Sequence, residues 1–282
     1  MKIAVLTDSS AAFSGASAVL HLPLFLGNAE FAEGADVSDE TIIRRTKLSG
    51  DILSLGQNPL DEIDGVLEKL RGEGYEACIA VHVSGGISGL GGNLVTCANR
   101  RSCPLPLYVF DSHATGIPQK HQVQLACGLA ERGCLPEDIM SRLAALRKGQ
   151  RTYLLVSDVR RLLKTGHISN HVSGVVPVKT LFSFNEDGNL EVSDNRLLMK
   201  NTYGELAERL EYMTNVAGSY FSFGLMYDDT AALDWSGLDA RLRADFPHLA
   251  VERQPMKPSL WSLAGEKSVL ASFEPKWELY LE

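Results

Sequence analysis

Three short apolar runs in the first half of the chain each end in small polar residues. Residues 3–6 run into Thr7-Asp8-Ser9-Ser10, residues 79–83 into Ser84-Gly85-Gly86-Ile87-Ser88-Gly89, and residues 107–110 into Asp111-Ser112. Runs of this length, bounded by turn residues, predict buried strands. Segments of helical period separate them. Leu60, Ile63, Leu67 and Leu70 share one face behind Pro59, and Ser38 stands as an N-cap before Asp39 and Glu40. Two further helices are predicted over 119–131 and 136–146, broken by Gly133. Strand, helix, strand in this order predicts a parallel α/β sheet. Ligands of open α/β sheets bind beyond the carboxyl ends of the strands, where all three polar segments fall.

The texture changes after residue 150. Residues 153–156 read as a strand, 176–184 and 190–193 as a hairpin around Asn-Glu-Asp-Gly-Asn, 204–213 as a helix, and 220–227 and 269–273 as strands. Antiparallel pairing is therefore expected in this half. We place a boundary near Gly149, giving an N-terminal α/β unit over 1–149 and a second α/β unit with a mixed or antiparallel sheet over 150–282. Two units suit a chain of 282 residues, and no internal repeat is visible.

A formal net charge of -8 argues against nucleic acid and against stable membrane insertion, since an acidic surface repels both kinds of anion. Only four apolar residues in a row precede Thr7, too few for a signal-peptide core, and no run approaches the roughly 20 needed to span a bilayer. The five cysteines are odd in number, lie in the first half and form no C-x-x-C pair. Free thiols in a cytoplasmic protein are the expectation.

Glycines let a backbone approach a ligand, and the helix expected from Gly92 or Asn93 to Arg100 would turn open amides toward an anion. The familiar phosphate motifs are missing: there is no G-x-x-x-x-G-K-[ST] and no G-x-G-x-x-G in residues 82–93. Gly86-Ile87-Ser88-Gly89-Leu90 has the outline of a nucleophile elbow with Leu90 in place of the second glycine. With His82 and His113 at strand ends, a hydrolase using Ser88 or Ser112 is one reading. A module for a small anion at the same loops is another. His167 and His171 lack a third ligand, so no metal site is expected. Asp61, Glu62 and Asp64 read as a solvated helix start.

Taken together, these segments resemble the DegV family, whose members bind fatty acids as subunits of bacterial fatty acid kinases. Thr7-Asp8-Ser9-Ser10-Ala11 is similar to the family's opening strand and TDSS. Ser84 to Gly89 resembles its serine and SGT segment, and Asp111-Ser112 with Gly116 its third motif. Val156 to Ser169 parallels the leucine-rich turn ending in GGRIS. Lys179 to Phe182 falls where KPIL is usual, and Arg196 where an arginine follows the hairpin. The departures are definite. Ser54-Leu55-Gly56-Gln57-Asn58-Pro59 replaces a threonine-serine pair before proline, His167 stands for the GGRIS arginine, and Leu263 to Ser268 replaces HTGPGA without its histidine.

The resemblance implies a two-domain fold that holds a long-chain fatty acid as ligand, needs no cofactor and has no catalytic residue of its own. The ligand-binding set it implies is Ser88, Gly89, Ser84 and Gly85, with Ser54, Asp8, Ser9, Ser10, Asp111 and Ser112 around them. Lys179, Arg196 and His167 would face the headgroup or an ATP-dependent kinase partner.

Overall fold

A computed structural model of the chain describes residues 1–156, 159, 161–162, 180–194, 220–227, 240, 243–247, 249 and 251–282. Strand β1 (Ile3–Asp8) lies at the heart of the first sheet because all six of its residues are buried. It pairs in parallel with β2 (Ala18–Leu20) on one side and β6 (Ala77–His82) on the other, and β6 pairs in parallel with β7 (Leu107–Asp111). Alternate side chains divide between two cores, as strand geometry requires. Ile3, Val5, Ile79 and Val81 face helices α4 (Ile117–Glu131) and α5 (Pro136–Gly149), while Ala4, Leu6, Cys78 and Ala80 face α2 (Leu60–Gly72) and α3 (Leu90–Asn99). The expected parallel α/β sheet is present.

Helix α1 (Asp39–Ser49) begins as its sequence dictates, with the Ser38 hydroxyl accepting from the Thr41 N–H at 3.3 Å, and ends at Gly50 in the left-handed region. It supports a small antiparallel sheet of β3 (Pro23–Leu26), β4 (Ala29–Ala32) and β5 (Leu53–Leu55).

The second large sheet has the order β10-β9-β8-β13-β11-β12. Its strands are β8 (Arg151–Val156), β9 (Thr180–Phe184), β10 (Leu190–Asp194), β11 (Phe221–Tyr227), β12 (Val251–Pro255) and β13 (Val269–Pro275). Every pairing is antiparallel except β11 with β12, so the sheet is mixed. The helix expected over 204–213 lies outside the described residues, as does the start of the strand expected over 176–184.

One face of this sheet forms a small core around Phe223 and Phe273. The other joins the largest apolar layer among the described residues. That layer takes Leu154, Val156, Phe182, Met226 and Leu270 from the sheet, Leu24, Phe31 and Leu53 from the three-stranded sheet, and Leu260 and Trp261 from α6 (Pro258–Ala264). Val83, Ile87 and Ile117 enter it from the strand-end loops of the first sheet. Burying each large aliphatic side chain there is worth roughly 1.5–3 kcal/mol, so this layer is the main cement between the two halves. The C-terminal turn returns to the first half, where Trp277, Tyr280 and Leu281 cover the core beneath α4 and α5.

Candidate functional site at the strand ends

All three polar segments converge beyond the carboxyl ends of β1, β6 and β7, but they do different work. Asp8 is fully buried and ties two loops together. Its Oδ2 accepts from the Val83 N–H at 2.6 Å and the Gln119 amide at 3.0 Å, while Oδ1 accepts from the Ser10 N–H. Burial pushes its carboxyl above the usual carboxylate range, against the hydrogen bonds from Ser10 and Val83. The Ser10 hydroxyl sits between Asp8 and Gln119. The Ser9 hydroxyl donates to Glu33 at 2.6 Å and accepts from the Leu22 N–H. Glu33 is itself buried, accepts from the Ser259 N–H at 2.7 Å, and is likewise raised by burial despite Lys257 nearby.

Asp111 closes the next pair of loops by accepting from the Gly85 and His113 N–H groups. The Ser112 hydroxyl turns inward to the Ala114 carbonyl at 2.9 Å. Ser84 donates its hydroxyl to the carbonyl of Gly188, 2.7 Å away at the tip of the β9–β10 hairpin. This tip lies directly on the glycine loop: a Cβ on Gly86 would stand 2.2 Å from the Gly188 oxygen. Part of the glycine content of residues 82–93 therefore serves the docking of the second sheet onto the first.

Ser88 differs from its neighbours. It is buried, its hydroxyl oxygen accepts from the Leu90 N–H at 3.3 Å, and its own proton has no acceptor among the described residues. Helix α3 starts just beyond it at Leu90, two or three residues earlier than the Gly92 or Asn93 start expected from the sequence. Among the described residues the N–H groups of Gly89 and Gly91 also have no acceptor. One hydroxyl and two amides are thus available at a helix N-terminus, where the backbone dipoles favour a negative or polar group. Ile87, next to Ser88 in the chain, points into the large apolar layer. A polar tip and an apolar interior adjoin at this turn.

Ser54 is exposed on β5 and lies 3.5 Å from the Phe25 carbonyl. The side chain over Gly89 is instead that of Gln57, whose Oε1 lies 2.0 Å from where a Cβ of residue 89 would stand. Sequence reasoning did not single out Gln57, although it lies inside the segment 54–59 that departs from the family pattern. Glu33 gave no signal at all, being one acid in a polar stretch. Lys179, Arg196 and His167 lie outside the described residues.

Neither Ser88 nor Ser112 is hydrogen-bonded to a histidine among the described residues. His82 Nδ1 contacts the Val83 carbonyl at 2.6 Å and its ring packs over Gly91, while the His113 ring lies against Gly188. Burial, then Arg147, holds His113 below the ordinary imidazole value. Beyond the hairpin tip, a polar cleft of about 910 Å³ is lined by Ser112, His113, Arg147, Arg151, Ser183 and Asp187 among others, and reaches neither Ser88 nor Gly89. Among the described residues no group of three His, Cys, Asp or Glu side chains could hold a metal, and no helix is long and apolar enough to cross a membrane.

The family model described as "Uncharacterised protein, DegV family" matches residues 2–276. A DegV domain-containing protein of Streptococcus pyogenes serotype M3, SpyM3_0586, is 26% identical over 219 residues, which are 74% of this chain and 77% of the relative. Two solved structures share the fold. The fatty acid binding DegV family protein SAG1342 of Streptococcus agalactiae superposes with a TM-score of 0.87 at 23% identity, covering 98% of this chain and 99% of its own. The Streptococcus pneumoniae Fatty Acid Kinase (Fak) B3 protein, loaded with linoleic acid, gives 0.77 at 16% identity, covering 98% and 100%.

Proposed function

The chain belongs to the DegV family, and on that premise we propose that it binds a long-chain fatty acid, with the carboxyl group at Ser88, Gly89 and Gly91 and the tail in the apolar layer between the sheets. The observation that supports this most directly is the junction at residues 87 and 88. Ile87 faces the layer, while among the described residues the adjoining serine hydroxyl and first-turn amides have no acceptor for their hydrogens. A hydroxyl and two amides suit a carboxyl group in either protonation state, because the serine can both donate and accept. Burial of a methylene yields about 0.8 kcal/mol, so a tail of roughly sixteen carbons supplies a gross driving force near 10 kcal/mol before ordering costs are subtracted. The tail must part the side chains of the layer, and the thioethers of Met226 and Met256 are the most adaptable of them.

In this reading Asp8, Ser9, Ser10, Ser84, Gly85, Asp111 and Ser112 shape the loops around the headgroup, and Ser54 lies at the rim. Units 1–149 and 150–282 enclose the ligand from opposite sides. The protein acts as a non-catalytic, cytoplasmic carrier, and it presents the carboxyl group to an ATP-dependent kinase subunit. Lys179, Arg196 and His167 are the side chains we assign to that encounter. No cofactor is required.

Mass spectrometry of an organic extract from the purified, heat-denatured protein tests the reading. We expect a straight-chain fatty acid at near-stoichiometric amount. An extract empty of lipid, together with failure to retain labelled palmitate, would refute it. Saturable binding of a small inorganic anion that Ser88→Ala abolishes would then assign the same turn to that anion.

A further inference from the structure

The thiols of Cys97 and Cys103 lie 3.8 Å apart where the C-terminal end of α3 turns into the loop before β7. Nothing in the lipid-binding reading uses them. Cys97 is buried on the last turn of α3 and Cys103 is half-buried. The loop that joins them is short and held in place: the Cys103 N–H donates to the Arg100 carbonyl at 3.0 Å, and its thiol to the Leu105 carbonyl at 3.1 Å. Two charged groups flank the pair. Asp64 of α2 accepts from the Cys97 thiol at 3.2 Å, and the Arg100 guanidinium, paired with Asp64, reaches the Cys97 sulfur at 3.4 Å.

We propose that Cys97 and Cys103 form a reversible disulfide, making this corner of the first unit a site of oxidation by low-molecular-weight disulfides such as oxidised glutathione. Ordinary van der Waals contact between the sulfurs means that closure needs only a modest local approach, not unfolding. Of the two, Cys103 is the more accessible, so the first step falls to it. Its thiolate attacks one sulfur of oxidised glutathione, breaking that S–S bond and releasing one glutathione thiolate, which takes up a proton. Cys97 then loses its proton and attacks the Cys103 sulfur, expelling the second glutathione. In sum, two protein thiols lose two electrons and two protons, and one glutathione disulfide becomes two glutathione thiols.

The surroundings pull the second step in opposite directions. Arg100 places a cation beside the sulfur that must become a thiolate, whereas Asp64, held below the usual carboxylate range by its hydrogen bond from Arg100, accepts from the thiol and favours its protonated form. Burial, joined by Asp64 and Cys103 and only partly opposed by Arg100, pushes the Cys97 thiol up to about 12. Closure should therefore be slower than the initial capture by Cys103. Cys78 lies close to the pair but is fully buried within β6. Cys127 and Cys134 lie in the other core of the first unit, beside α4.

The experiment uses the intact, folded chain, treated with oxidised glutathione, quenched with acid, denatured and alkylated. Trypsin cuts after Arg100 and Arg101, so a Cys97–Cys103 disulfide appears as a cross-link between fragments 72–100 and 102–120, broken by reductant. Fragment 72–100 also carries Cys78, and fragment-ion sequencing that finds Cys78 alkylated assigns the bond to Cys97. We expect that cross-link and two fewer alkylatable thiols than the five of the reduced chain. Cys97→Ser should stop at a single glutathione adduct on Cys103, Cys103→Ser should retain its four thiols, and Cys78→Ser should behave as the parent. Retention of all five thiols, glutathione adducts without closure, or cross-links through Cys78, Cys127 or Cys134 would each overturn the proposal. The parent map decides the matter even where a variant fails to fold.

Discussion

Ser88 is the residue on which the headgroup reading turns, because among the described residues its hydroxyl proton has no acceptor, while those of Ser9, Ser84 and Ser112 are spent on Glu33, Gly188 and Ala114. Ser88→Ala should weaken fatty acid binding by a few-fold to about a hundredfold, the range of one hydrogen bond to a charged group. Retention of labelled palmitate measures it, and equal retention by parent and variant would remove Ser88 as an anchor. Gly86 tests the docking of the hairpin. A methyl group there would meet backbone atoms, the Gly188 oxygen at 2.2 Å and the Asn189 Cα at 2.7 Å, so the tip of the second sheet must move. Gly86→Ala should lose about 1–3 kcal/mol in denaturant unfolding, as overpacking does. Gly65→Ala, with nothing within 4 Å inside α2, should gain about 1 kcal/mol by the same assay. At this scale the sequence could be read for residue type but not for allegiance. Serines and glycines at strand ends suggest a ligand, yet which hydroxyl is already bonded depends on Glu33 and Gly188, contributed by distant segments that no local pattern connects to them.

Helix α4 is the element that couples the two sheets. It leans on β1 and β6 and reaches the second sheet through a polar cluster. His121 Nε2 lies 3.0 Å from Glu252 on β12, its Nδ1 lies 3.0 Å from the buried Glu274 on β13, and Lys120 contacts Glu252 at 2.6 Å. The contact with Glu274 is coulombic, since it lacks hydrogen-bond alignment. Gln150 donates to the other Glu274 oxygen. Burial disfavours the protonated ring, but Glu274 and Glu252 outweigh it and raise His121 from 6.5 to about 9. The hydrogen bond from His121 lowers Glu252 to about 2, with burial opposing and Lys120 assisting. The His121 contribution is thus complete below about pH 6.5 and disappears as pH rises through about 9. That of Glu252 is complete above about pH 4.5 and disappears as pH falls through about 2. The unfolding free energy from denaturant titration should fall on the alkaline side by on the order of 2–3 kcal/mol, and His121→Gln should flatten that limb. A limb as steep in the variant would assign it to other groups. Elements of strong period were readable in the sequence: β1, β6, β7, α2, α4, α5 and the β9–β10 hairpin. Strands β2, β3, β4 and β5 were not, because three or four residues show no period. Strand β12 reads Val-Glu-Arg-Gln-Pro at a sheet edge, and α6 is buried on every side, so it offers no polar face by which to recognise it.

At the scale of the whole molecule, the feature that matters is that the largest apolar layer belongs to neither half. Its members come from residues 24 to 270, and a boundary near Gly149 cuts through its contributors. Composition shifts and sheet type mark such a boundary, but they carry no information about which faces meet across it, because a buried face reads the same whichever partner covers it. Trp261 lies inside this layer and is almost fully buried, with the Arg161 guanidinium 4.9 Å from its ring. Trp277 packs instead on the far side, beneath α4 and α5. A fatty acid whose tail lies between the sheets should therefore report on Trp261 and not on Trp277. The chain's third tryptophan is Trp235, so the test uses a Trp235→Phe background. Stearic acid brominated near the middle of its chain should quench part of the remaining tryptophan emission, and adding Trp261→Phe should remove that quenching while labelled palmitate still binds. Substituting one aromatic ring for another keeps most of the packing, so the variant separates the position of the tail from the stability of the layer. If the brominated acid binds and the Trp261→Phe protein is quenched as strongly as the parent, the tail lies elsewhere, and the layer between the sheets is a core rather than a binding site.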